Sequence, residues 1–161
     1  MNLHPLAQPL EFLLGSWSGP GRGHFPTISD FNYTETITFA AIPGKPFLRY
    51  EQVTSSPEGA PMHTELGFLR LTEGGSVEFI IAQPTGQAEL LEGTSEELED
   101  GTLLLHFDAS QVHNSSTAKR VDGTTRTYIF NAHRTAVHTE FDMAAVDQPM
   151  QRHLISDLSK V

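Results

Sequence analysis

Apolar and polar residues alternate with a period of two along most of this chain, and this pattern restricts its fold more than any other feature. Successive side chains of a β-strand point to opposite faces, so each alternating segment predicts a strand with one buried face. The alternating sets are Tyr33, Ile37 and Phe39; Val77, Phe79 and Ile81; Leu103, Leu105 and Phe107; Thr127 and Ile129; and Val137, Thr139, Phe141 and Met143.

Short groups of turn-forming residues separate these segments. They are Pro43-Gly44, Pro57-Glu58-Gly59, Gly74-Gly75, Asp100-Gly101 and Asp122-Gly123. A last strand, residues 151–161, follows Asp147-Gln148-Pro149. About ten strands joined by hairpins fit a sandwich or a barrel. We expect an all-β fold, a closed antiparallel up-and-down β-barrel, because a meander closes without long crossovers and leaves no exposed edge.

The first fifteen residues have a different period. Their leucines recur at spacings of three and four, which predicts one apolar stripe on a short N-terminal helix. Pro5 and Pro9 limit this helix to a turn or two, in part 3₁₀, and Gly15 ends it. The leucines of the stripe are Leu3, Leu6, Leu10, Leu13 and Leu14.

Bulk composition excludes several classes of function. With 161 residues and no repeat or linker, residues 1–161 are expected to form a single domain. A net charge of −10 disfavours nucleic acid and anionic membranes as partners. The absence of cysteine removes disulfides, thiolate metal sites and covalently attached haem. No secretory signal or bilayer-spanning apolar stretch is evident, so we expect a cytoplasmic protein.

The most specific local motif is Gly15-Ser16-Trp17-Ser18-Gly19-Pro20-Gly21, followed by Gly23-His24-Phe25-Pro26-Thr27. Trp17, the single tryptophan, is suited to closing one end of a barrel. Three alternating glycines leave one face of this strand without side chains, which lets another backbone or a flat ligand come close. The alternative is that the glycines only relieve a sharp bend at a barrel corner.

This motif resembles the signature of the nitrobindins, a family of haem-binding β-barrels. Further segments resemble the family in the same order along the whole chain: Gly44–Leu48, Met62–Arg70, Ala82–Gly86, Thr117–Lys119 and Gln148–Leu154. Two departures stand out. Phe25 occupies a position where the family usually has tyrosine, and the loop from Asn131 to Ala136 is slightly longer than usual.

The resemblance implies one non-covalent haem b per chain, with His153 as its axial iron ligand. The position of His153, near the end of the last strand, gives a weaker indication of the same role, because without cysteine an axial ligand must be His, Met or Tyr. The resemblance also places Thr27, His63 and Gln83 around the haem. His63 is equally compatible with a plain hydrogen bond inside the barrel. Arg126 could pair with a haem propionate or lie on the surface.

The other histidines are expected to be solvated or structural, and no H-E-x-x-H pair predicts a zinc site. The implied activity is isomerisation of peroxynitrite to nitrate on ferric haem, with nitric oxide as a further ligand. Two rival hypotheses stay open: a non-catalytic carrier of a small hydrophobic molecule, and a sensing or interaction module in which haem is structural. A homodimer is also left open.

Overall fold

Ten antiparallel strands close into one barrel in a computed structural model, which describes residues 2–161. Each strand pairs with the next one along the chain, and β1 closes the barrel against β10, so the predicted fold class is confirmed. The strands are β1 Gly15–Phe25, β2 Ile28–Ala41, β3 Phe47–Ser55, β4 Pro61–Leu71, β5 Val77–Ala82, β6 Gln87–Glu97, β7 Leu103–Asn114, β8 Val121–Phe130, β9 Ala136–Ala145 and β10 Gln148–Lys160.

Four of the five predicted turns connect neighbouring strands, each through a glycine with a positive φ angle. The prediction of a turn at Asp122-Gly123 is wrong. These residues lie inside β8, where the pairing register with β9 shifts between Val121 and Gly123. Glycine marks β-bulges as well as turns, so the dipeptide alone does not distinguish the two.

The last hairpin turns earlier than the sequence suggested. Val146 and Asp147 both have positive φ angles, 45° and 64°, and form a two-residue loop between β9 and β10. A loop of this kind fits the right-handed twist of the flanking strands. The last strand therefore begins at Gln148 and ends at Lys160, rather than spanning residues 151–161.

The predicted N-terminal helix is a 3₁₀ helix, Gln8–Leu13, and it covers one end of the barrel. Leu10 and Leu13 are the buried residues of this helix. Trp17 is fully buried, and its Nε1 donates a hydrogen bond to the Leu13 carbonyl oxygen over 3.0 Å, which joins the helix to β1. Within residues 2–161, no helix has the length and apolar character needed to cross a bilayer.

The glycine face of β1 is filled by the neighbouring strands. Gly21 lies opposite Tyr33 of β2, and Gly23 lies opposite Phe31, so a Cβ atom at either glycine would overlap the facing ring. Gly19 faces the backbone carbonyl of Asp157. The expectation of close approach is confirmed for backbone and aromatic side chains. The Tyr33 and Phe31 rings cover this face at Gly21 and Gly23, and the approach of a flat ligand stays a prediction.

The inward-facing residues divide the barrel into two halves. Towards the 3₁₀ helix they are apolar and form one packed core that includes Trp17, Ile37, Phe79, Phe107 and Phe130. Further along the same strands the inward-facing residues become polar and then line a cavity. The barrel is therefore solid at one end and hollow at the other.

Candidate functional site

The hollow half of the barrel contains a cavity of about 420 Å³. This volume is within the range of pockets that bind small molecules and cofactors. Its wall combines apolar side chains, among them Phe31, Met62, Phe141 and Met143, with a polar floor. The cavity therefore offers an apolar chamber with a few fixed polar groups.

His153 lies in the wall of this cavity, on β10. Its Nδ1 atom is 2.9 Å from the backbone carbonyl oxygen of His24, on β1. A carbonyl can only accept a hydrogen bond, so Nδ1 carries the hydrogen and Nε2 keeps its lone pair. Burial lowers the pKa of His153 and keeps the imidazole neutral. This is the form of histidine that binds a metal, with the second nitrogen held by a backbone acceptor.

Three aromatic rings surround the His153 imidazole. The ring centroids of Phe25, Phe31 and Phe141 lie 5.4, 6.2 and 6.0 Å from the imidazole centroid. Phe25 is buried and meets the imidazole edge-on. The nitrobindin family usually has tyrosine at this position, so this difference from the family lies next to the candidate iron ligand. The three rings restrict how far the imidazole can turn.

His63 and Gln83 both line the cavity, and their contact with a bound haem stays a prediction. His63 is on β4, where its Nε2 atom lies 3.7 Å from Oε2 of Glu65. Gln83 follows β5, and its Nε2 donates to Oε2 of Glu89 over 2.5 Å. Both side chains are thus held by buried carboxylates and face the chamber.

Thr27 is not brought into the cavity. It lies in the two-residue connection between β1 and β2, is exposed, and is absent from the cavity lining found in residues 2–161. The Pro26-Thr27 dipeptide thus forms a hairpin tip. A contact between Thr27 and a bound haem stays a prediction.

Arg126 is buried, so the suggestion of a surface role is wrong. Its guanidinium donates two hydrogen bonds to Glu65, over 2.9 and 2.8 Å, and two to Glu89, over 2.6 and 3.4 Å. Its charge also lies 4.6 Å from the centroid of the Phe141 ring. In the structure the partners of Arg126 are therefore two carboxylates of the chain itself, where the sequence suggested a haem propionate.

These charges belong to a buried polar layer that separates the packed half from the cavity. Burial alone would raise the pKa of Glu65, but the Arg126 guanidinium and His63 outweigh it and lower that pKa to about 2. Tyr50 donates to Glu65 over 3.1 Å, and Thr124 donates to Glu89 over 2.7 Å. The layer consists of Glu35, Gln52, Glu65, Glu89, Thr124, Arg126 and Ser156.

Sequence reasoning missed this layer. The signal was present, because Glu35 is in phase with the buried Tyr33 and Ile37, and Glu65 is in phase with the buried Leu69. Charged residues in the buried phase of a strand point to an interior ion pair or a site.

The side chains that line the cavity fit a haem, a planar group that already contains iron. Residues 2–161 contain no cluster of three or more His, Asp or Glu side chains that could hold a bare metal ion. A haem iron has four ring ligands and needs only one axial ligand from the protein. His153, with its free Nε2 in the wall of a largely apolar chamber, supplies one.

Comparison with known proteins agrees with this geometry. The family model described as "THAP4-like, heme-binding beta-barrel domain" matches residues 7–160. A peroxynitrite isomerase from Nocardia farcinica is 42% identical over 159 residues, which are 98% of this chain and 92% of that protein. Peroxynitrite isomerase 2 of Mycobacterium avium is 36% identical and covers 99% and 97% of the two chains.

A solved structure shares the fold. The crystal structure of Rv2717c from M. tuberculosis superposes with a TM-score of 0.92 at 37% sequence identity and covers 99% of each chain. Family model, relatives and fold coincide over nearly the whole chain. This chain therefore belongs to the nitrobindin family of haem-binding β-barrels.

Proposed function

We propose that the chain binds one haem b without covalent attachment and isomerises peroxynitrite to nitrate. The observation that carries this proposal is the hydrogen bond from His153 Nδ1 to the His24 carbonyl oxygen, which leaves the Nε2 lone pair available on a side chain that lines the cavity. The names of the relatives support the same activity, since both the Nocardia and the Mycobacterium proteins are called peroxynitrite isomerases.

When bound in its ferric form, a haem would supply the iron at which peroxynitrite rearranges to nitrate. His153 holds the group through Nε2 and, through its backbone partner, keeps a fixed tautomer. His63 lines the same chamber and would contact the ligand or the haem from β4. The apolar wall around Met62 and Phe141 limits the entry of water and the escape of reactive fragments.

Nitric oxide is a second ligand in this proposal, because ferrous haem with one axial histidine binds it. The apolar wall also favours a second candidate function, the carriage of a small hydrophobic molecule without catalysis. An absorption spectrum after haem reconstitution separates the two functions. A Soret band with one haem per chain supports the haem protein, and its absence favours the carrier.

Stopped-flow decay of peroxynitrite tests the activity. We expect haem-loaded protein to accelerate the decay and to shift the products towards nitrate, whereas haem-free protein does neither. Cyanide, which occupies the open coordination position, should suppress the activity. Equal decay rates with haem-loaded, haem-free and cyanide-blocked protein would overturn the isomerase proposal.

Homodimerisation and a cytoplasmic location both stay predictions. Light scattering on the haem-loaded protein measures the first, and fractionation of the producing cells measures the second.

A further inference from the structure

The charges of the buried polar layer do not balance. Three carboxyl groups, from Glu35, Glu65 and Glu89, lie in it, and Arg126 is the one buried basic side chain in residues 2–161. Ionised groups are rarely buried without a partner, because removal from water is costly. With one cation for three carboxyls, at least one of the carboxyls is therefore expected to be neutral.

The geometry identifies which carboxyl this is. Arg126 donates two hydrogen bonds to Glu65 and two to Glu89, but makes no hydrogen bond to Glu35. Burial raises the pKa of Glu35, and the negative charge of Glu65 adds to this effect. Hydrogen bonds from Ser156 and Gln52, and the more distant Arg126, offset it only in part.

Polar and titratable groups face Glu35 from several strands, and Arg126 is the only cation among them. They are Tyr33, Tyr50, Gln52, Glu65, Arg126, Tyr128 and Ser156.

Gln52 gives an independent indication that a hydrogen-bond donor lies near Glu35. This side chain is 5% exposed and lines the same cavity as Glu35. Its Oε1 atom is a buried acceptor with no hydrogen-bond partner among residues 2–161. Buried acceptors are almost always satisfied, so a donor belongs at this place. Glu35 is the diagonal neighbour of Gln52 on the adjacent strand β2, so a protonated Glu35 supplies a donor beside this acceptor.

A chain of hydroxyl groups links Glu35 to the cavity wall on its other side. Ser156 Oγ donates to Oε2 of Glu35 over 2.6 Å, which leaves Oε1 to hold the acid proton. Ser156 is hydrogen-bonded in turn to the hydroxyl of Thr139, which lines the cavity. Glu35 itself also lines the cavity, so its proton is held at the boundary between the polar layer and the chamber.

We propose that Glu35 is a neutral carboxylic acid in the folded protein and is the hydrogen-bond donor that this pocket offers to an anionic ligand. A hydrogen bond to an anion is stronger than one to a neutral amide, so such a ligand would compete with Gln52 for the proton. The ligand part rests on the proposed function, because peroxynitrite and nitrate are anions. The protonation of Glu35 does not depend on it.

Infrared spectroscopy at pH 7 tests the protonation directly. A neutral carboxylic acid has a C=O stretching band that ionised carboxylates lack and that shifts in D₂O. We expect this band in the parent protein, its loss in Glu35→Gln, and its retention in the control Glu51→Gln, which removes an exposed carboxylate from β3. A parent spectrum without the band, or with a band that persists in Glu35→Gln, would overturn the proposal.

Sodium azide is the anionic probe for the second part. We expect azide to shift the Glu35 band in haem-loaded protein, and Glu35→Leu to weaken azide binding about tenfold, as expected for loss of one hydrogen bond to a charged group. Glu51→Leu should not change the affinity. An unchanged band together with unchanged affinity would contradict the donor role. Failure to load haem would contradict the proposed function instead, while the carboxylic acid band would still decide the state of Glu35.

Discussion

The Nδ1 atom of His153 and the carbonyl oxygen of His24 are 2.9 Å apart in space and 129 positions apart in sequence. The contact spans the seam where β1 pairs with β10, next to the pair Gly23 and Leu154. The hydrogen bond that orients the imidazole can therefore form only when the barrel closes. The side chain assigned to bind iron is in place only when the two ends of the chain have met.

His153→Ala should abolish stable haem binding while the barrel still folds, because the ring is half-buried and stands outside the main core. Absorption and circular dichroism spectra of the reconstituted variant measure the two effects. His63→Ala is the matched control, and it should keep haem but change the rate of ligand binding. A Soret band and haem affinity like those of the parent in His153→Ala would contradict the assignment, and loss of haem in His63→Ala would mean that the two sides are exchanged.

Acidification should release haem from the parent protein, because protonation of His153 Nε2 competes with iron for the same lone pair. Burial lowers the pKa of His153, so the loss should begin below the ordinary value of 6.5. A titration followed by the Soret band from pH 8 to pH 4 measures it. Haem retention that falls already above pH 7 would require another titrating group.

Gly21→Val should destabilise the fold by roughly 1–3 kcal/mol through overpacking, because its side chain would overlap the Tyr33 ring. Urea denaturation measures the change. The double variant Gly21→Val/Tyr33→Ala should recover part of the loss, since it removes the overlapping ring. A single variant as stable as the parent would show that β1 and β2 can separate at no cost.

Arg126→Met should cost about 3–5 kcal/mol, because it leaves Glu65 and Glu89 buried without their cation. Adding Glu65→Gln and Glu89→Gln to the same chain should restore much of the stability by removing both unpaired charges. Urea denaturation of the single and triple variants gives the comparison. Equal stability of the two would mean that the carboxyls take up protons without difficulty when Arg126 is lost.

Glu65 should make the stability fall as the pH is lowered. Its pKa is about 2 in the folded protein and 4.5 as the ordinary value, so the unfolded chain takes up the proton first. The contribution is complete above about pH 4.5 and is lost as the pH falls from there towards 2. Glu65→Gln should flatten this part of the pH profile in urea denaturation. An unchanged slope would show that Glu65 is not responsible for it.

The fold was predictable from sequence because alternation and turns are local signals. Buried residues such as Ile37 and Phe79 lie on the predicted faces. The Asp122-Gly123 bulge was not predictable, since the same dipeptide serves turns and bulges, and only the pairing of β8 with β9 distinguishes them.

The site was predictable in part. His153 was singled out by resemblance, but its hydrogen bond to the His24 carbonyl depends on barrel closure. Arg126 was misjudged because its partners, Glu65 and Glu89, lie 61 and 37 positions away on other strands. Sequence spacing holds no information on such contacts until the strand order is known.

The division of the barrel into a solid and a hollow half has an evolutionary consequence. Most strands contribute residues to both halves, as β2 does with Ile37 in the core and Phe31 in the cavity wall. Substitutions in the wall can therefore accumulate and alter which ligand is accepted, while the core towards the 3₁₀ helix maintains the fold. A lineage with this architecture can acquire new binding preferences without first acquiring a new scaffold.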